Sequence, residues 1–212
     1  MMMKLIPTAA AIALGVAMQA TSAAALPANF YCVTGNNAGN CSTGTAELSV
    51  EVTDIGGGQV QFDFEHEAGD GDWSLTDVYF DDGTLLGIAS IFGTSGVDFA
   101  QNATPGNLPG GNGAAPPFVA TAGFSLNSNS PSLPASGVDE SGEVLSVIFD
   151  LMGGGTFADV VLELTNGDLR IGLHVQSFAD GGSESFINNP IPEPGTAFLL
   201  GLGLMGLSAR RR

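Results

Sequence analysis

Two short runs on either side of three consecutive glycines constrain the fold of this chain most. Leu48, Val50 and Val52 alternate with polar residues, as do Val60, Phe62 and Phe64, and Gly56, Gly57 and Gly58 stand between the runs. Apolar residues at every second position belong to half-buried strands, because successive side chains point to opposite faces of a sheet. Glycine accepts the backbone angles of tight connections, so the runs predict a β-hairpin covering 47–53 and 60–67. The same punctuation continues downstream. Residues 73–80, 85–92, 118–126, 144–151 and 169–178 are short apolar or alternating runs bounded by Gly, Asn and Asp.

One helix interrupts this pattern. Thr156 is placed as an N-cap with Asp159 three residues on, Phe157, Val160, Val161 and Leu164 recur at helical spacing, and Asn166 with Gly167 gives a stop. The expected class is all-β, a β-sandwich of jelly-roll type with one short helix, forming one domain over residues 26–189. Residues 101–136 hold six of the eleven prolines among Gly, Asn and Ser. This composition predicts solvated surface loops around the apolar run 118–126.

Both ends of the chain read as processing segments. Lys4, the apolar run 6–20 and the small residues Ala23, Ala24 and Ala25 predict a signal peptide over 1–25, cleaved after Ala25 by signal peptidase. Cys32 lies well beyond that site, against a lipoprotein. At the other end, residues 190–212 comprise a Pro-rich box with Pro192, Glu193 and Pro194, an apolar stretch over 197–209, and Arg210, Arg211 and Arg212. As a helix the stretch reaches only about 20 Å, short of a hydrocarbon core of roughly 30 Å. Snorkelling arginines and local thinning narrow the gap, so the tail reads as a marginal, temporary transmembrane helix in the inner membrane. The arginines set the cytoplasmic side. A tail anchor is the other reading; a core helix would carry a polar stripe, which Leu199, Leu200, Leu202, Leu204, Met205 and Leu207 do not leave.

This combination of signal peptide, Pro192–Glu193–Pro194 box, apolar helix and Arg cluster resembles the PEP-CTERM proteins of Gram-negative bacteria. The resemblance covers about a tenth of the chain. It implies recognition and cleavage by an exosortase, a membrane-embedded transpeptidase-like enzyme, in bacteria that make exopolysaccharide or biofilm matrix. The implied destination is the outer surface or extracellular matrix. The segment from Leu169 through His174, Val175, Gln176, Gly181, Gly182, Ser183, Glu184, Ser185 and Phe186 also resembles a run found in uncharacterised members, and brings no activity with it.

Without its ends the body carries 21 acids against Arg170 alone, a net charge of −20. Such a surface repels nucleic acid and anionic membranes and attracts cations. If the two alternating strands pair, Glu47, Glu51, Asp63, Glu65 and Glu67 share the face opposite the apolar residues, where like charges destabilise one another. Asp70, Asp72, Asp77, Asp81 and Asp82 form a second acidic set that could fold around calcium, the one cofactor the sequence admits, although its spacing is not that of an EF-hand. A solvated acidic face that keeps the protein soluble explains the same residues. Cys32 and Cys41, an even count in an exported chain, predict a disulfide; a metal site would need more soft ligands nearby.

Enzymatic signals are weak. His66 and His174 have no nucleophile elbow for company, no phosphate loop or zinc spacing is present, and the same-strand acids Asp63 and Glu65 occur too commonly to mark a glycosidase. The expected function is therefore a non-enzymatic exported surface or matrix protein associated with exopolysaccharide. The alternative is a secreted carbohydrate-binding module or carbohydrate-active enzyme using the acidic residues.

Overall fold

The computed structural model describes residues 29–66, 70–126 and 136–190, the side chains of 70–72 excepted. The signal segment with Ala25, the box Pro192, Glu193 and Pro194, the apolar stretch 197–209 and Arg210, Arg211 and Arg212 lie outside the described residues. In chain order the elements are β1 (Phe30–Cys32), α1 (Ala38–Glu47), β2 (Leu48–Gly56), β3 (Gln59–His66), β4 (Asp70–Asp81) and β5 (Leu86–Gly93). Then come β6 (Phe99–Gln101), a 3-10 turn at Gly111–Gly113, β7 (Ala122–Leu126), β8 (Val138–Glu140), β9 (Val144–Leu151), α2 (Phe157–Asn166), β10 (Arg170–Gln176) and β11 (Glu184–Asn188).

The strands form two antiparallel sheets. The larger runs β1-β11-β10-β4-β7-β6, with β8 also paired to β4; the smaller runs β2-β3-β9-β5. The hairpin expected around the glycines is present, with Val50 opposite Phe64 and Val52 opposite Phe62. Gly56, Gly57 and Gly58 all adopt positive φ, which a side chain would resist.

Alternate residues of both sheets meet in one core. Val52, Phe62, Phe64, Val147 and Phe149 come from the smaller sheet, and Trp73, Leu75, Val78, Phe80, Ile171, Leu173 and Phe186 from the larger. The Phe80 ring stands edge-on to Phe62 at 5.0 Å and to Phe149 at 4.8 Å, fixing the sandwich centre.

Strand β4 changes phase midway. Trp73 and Leu75 face the core, and so do Val78 and Phe80, an interval of three where strict alternation would give two. A bulge absorbs the extra residue: Leu75 pairs with Val175 and Asp77 with His174, leaving Thr76 unmatched. Without it one half of the strand would present its apolar residues to the wrong face. The bulge also turns Thr76 and Asp77 outward.

Helix α2 forms where expected, with Thr156 and Asp159 making a capping box, Gly167 in the left-handed conformation at its end, and Val160 and Leu164 buried. It is not the sole helix. Helix α1 has no apolar stripe and contains Gly39 and Gly44, so helical periodicity did not reveal it. Tertiary contacts hold it instead: Asn37 caps its first turn, and Gly44 sits so close to the Phe186 ring that a Cβ would collide with it.

The Pro-rich segment also departs from expectation. Residues 102–121 fold back over the outer face of the larger sheet, where Ala103, Leu108, Ala114 and Phe118 bury against Tyr79 and Ile187 in a second apolar cluster. Gly172 permits this approach, since a Cβ there would stand 2.9 Å from the Phe118 ring. Arg170 lies 5.3 Å from the centroid of that ring and donates to the carbonyls of Pro116 and Pro117.

Candidate functional site

On the same outer face, beside the folded-back segment, lies a cavity of about 410 Å³. Strand β4 supplies Thr76 and Asp77, strand β7 supplies Ser125 and Leu126, strand β10 supplies His174 and Gln176, and Ser177 follows it. Thr104 and Pro105 form the side contributed by the loop. The floor is one rung across the three adjacent strands β10, β4 and β7, with His174 opposite Asp77 and Asp77 opposite Ser125, and Ser185 of β11 continues the rung beyond the cavity. These residues come together because the β4 bulge brings Asp77 into phase with the outward residues of its neighbours.

The polar groups are already organised. Thr76 donates to Asp77 Oδ2 at 2.8 Å, Gln176 donates to Thr76 at 3.0 Å, and His174 Nδ1 stands 3.0 Å from Ser185 Oγ. Tyr79 donates to the Pro105 carbonyl at 2.9 Å and anchors the loop wall. Burial pushes the Asp77 carboxyl up to about 6, partly countered by the Thr76 hydroxyl. Burial lowers the His174 imidazole, against the opposing influence of Glu184, so it is neutral at pH 7. Ser177 has φ of 60°, a left-handed conformation that non-glycine residues rarely adopt.

The five acids read as a calcium set are not assembled into one. Asp77 lines the cavity, Asp81 pairs with Arg170 and accepts from Val119 N, and Asp82 accepts from Leu86 N and Thr121. Backbone and side-chain donors thus occupy the carboxylates of Asp81 and Asp82. The Asp70 and Asp72 side chains lie outside the described residues. Among the described residues the grouping of potential metal ligands that comes together is Cys32, Cys41 and Glu184. Its sulfurs are spent: Cys32 and Cys41 form the expected disulfide. Glu184 is also filled, accepting from Asn36 N at 3.0 Å, Asn37 N at 2.6 Å and the Thr34 hydroxyl.

The acidic hairpin face is real but smaller than expected. Glu51 pairs across from Asp63, and Ser49 from Glu65. Asp63 is screened by hydrogen bonds from Gln61 and Ser146. Glu67 lies outside the described residues, and Glu47 does not belong to this face. It ends α1, so strand parity does not orient it, and it accepts from Trp73 Nε1 at 2.7 Å. His66 is buried beside the same Trp73, its Nδ1 2.9 Å from the Asp139 carbonyl. Burial, together with Glu143 and Glu140, pushes the nearby Asp139 up to about 6.

The sequence singles out His174 and Asp77 separately and does not show their joining with Gln176, Ser125 and the loop. Only the unequal apolar spacing in β4 hinted at the bulge that joins them.

Residues 190–212 match the family described as the PEP-CTERM protein-sorting motif. The tail is a PEP-CTERM sorting motif. This motif implies an exported protein of a Gram-negative bacterium that depends on an exosortase. Among the described residues no helix is long and apolar enough to cross a membrane, and residues 191–212 of the PEP-CTERM tail lie outside them. No curated protein matches the chain, and no solved structure does.

Proposed function

We propose that this protein is a non-enzymatic surface or matrix component that an exosortase releases from the inner membrane and that associates there with exopolysaccharide. The observation that carries the reading is the match of residues 190–212 to the sorting motif. The precursor would be trimmed by signal peptidase, held by its tail with Arg210, Arg211 and Arg212 toward the cytoplasm, and processed at the Pro192–Glu193–Pro194 box. The order β3-β9-β5 facing β10-β4-β7, with the chain crossing between sheets after β3, β4 and β5, supports a jelly-roll wrapping of the body.

The alternative is a carbohydrate-active enzyme, which the raised carboxyl of Asp77 in a cavity favours. Glycoside hydrolysis by the usual route needs two carboxyl groups flanking the bond. Asp77 is the one carboxylate among the described residues that line the cavity, which supports binding over cleavage.

Fractionation of a host with and without its exosortase tests the reading. The expected result is protein in the matrix, co-purifying with exopolysaccharide, in the parent, and retained in the inner membrane when the exosortase is deleted. Unchanged matrix delivery without exosortase would refute it.

A further inference from the structure

We propose that the cavity bounded by Thr76, Asp77, Thr104, Ser125, His174 and Gln176 is a binding site for an uncharged hexosyl unit of a polysaccharide. This deepens the proposed association with exopolysaccharide and rests on it.

Its volume of about 410 Å³ falls in the range of roughly 300–1,000 Å³ that holds small-molecule ligands. A hexosyl unit fits that space. The lining offers hydroxyls from Thr76, Thr104, Ser125 and Ser177, an amide from Gln176, an imidazole from His174 and a carboxylate from Asp77. These are mixed donors and acceptors on one concave wall, as vicinal hydroxyls require. Leu126 and Pro105 supply an apolar surface for the C–H face of a ring. Among the described residues no aromatic ring lines the site, so recognition works through hydrogen bonds rather than stacking.

Charge excludes the anionic alternatives. Among the described residues neither Lys nor Arg lines the cavity, and Arg170 is engaged by Asp81 and the carbonyls of Pro116 and Pro117. A body of net charge −20 adds repulsion against uronic acids and phosphates. The floor is rigid, being built on three adjacent strands, and Tyr79 fixes the loop wall, so little ordering is required on binding.

The test uses the mature protein recovered from an exosortase host, titrated by NMR or calorimetry with neutral hexosides, a uronic acid and glucosamine, and separately with the host exopolysaccharide. Asp77→Asn removes the charged acceptor with little change of shape, and Thr104→Trp, at an exposed loop position, obstructs the cavity from its wall. Neutral hexoside binding weakened about tenfold by Asp77→Asn, the scale of one charge-assisted hydrogen bond, and lost in Thr104→Trp, is the expected result. Equal binding by parent and both variants, or preference for the uronic acid or glucosamine, overturns the proposal. If the exopolysaccharide binds parent and variants alike, the cavity site falls while the association stands. If hexosides bind in a variant-sensitive way and the exopolysaccharide does not, the association falls and the site stands.

Discussion

Arg170 and Asp81 face each other across strands β10 and β4, and their ion pair fastens the folded-back segment to the larger sheet. The same guanidinium donates to Pro116 and Pro117 and covers Phe118, while the second partner of Asp81 is the backbone of Val119. Arg170→Met should therefore cost about 3 kcal/mol, because it leaves a largely buried carboxylate without its countercharge. Urea denaturation measures the loss. Limited proteolysis should show new cutting within residues 102–121 before global unfolding, and an unchanged pattern would mean that Phe118 and Leu108 alone secure the loop.

Asp77 gives a pH signature. Its folded carboxyl titrates near 6 against an ordinary 3.8, so the unfolded chain gives up this proton more readily. Stability attached to Asp77 is present at low pH and is lost as pH rises through that window. Asp77→Asn stays uncharged throughout. Parent and variant should match near pH 4, and the variant should be more stable at pH 7.5 by about 2–3 kcal/mol at most. His174 works in the opposite sense: its lowered value favours the folded state above 6.5 and disfavours it below, but it is common to both proteins and cancels in the difference. A constant gap across the pH range would contradict the burial argument.

Glu184 organises the connection into α1. It is fully buried, and its carboxylate takes Asn36 N, Asn37 N and the Thr34 hydroxyl beside the Cys32–Cys41 bridge. Glu184→Gln replaces an acceptor-only group by one carrying an N–H pair, which faces those N–H donors. A loss of about 2–4 kcal/mol is expected. Amide exchange should report it locally, with Asn36 and Asn37 losing protection.

How much of this was legible depended on length and locality. Strands β2 and β3 declared themselves by period, β4, β5, β9 and β10 as apolar or alternating runs between turn residues, and α2 by its caps. Strands β1, β6, β8 and β11, of three to five residues, are too short for a period to register. Glu184, in a stretch of Gly and Ser, carries no local sign that a buried carboxylate will receive the turn before α1. The rung Ser185–His174–Asp77–Ser125 joins strands distant in sequence, and no single segment announces it. Composition misread the loop before the apolar run 118–126 as solvated, because its few apolar residues, Leu108 above all, bury with Phe118 on a face that Gly172 leaves bare, and the strand itself begins only at Ala122.

The intact mass of surface-recovered protein from a host with an active exosortase tests the role of the tail most directly. The mature chain should lack the apolar stretch 197–209 and the three terminal arginines, and Glu193→Ala should leave them attached. Surface protein whose mass still includes Arg212 would contradict exosortase processing.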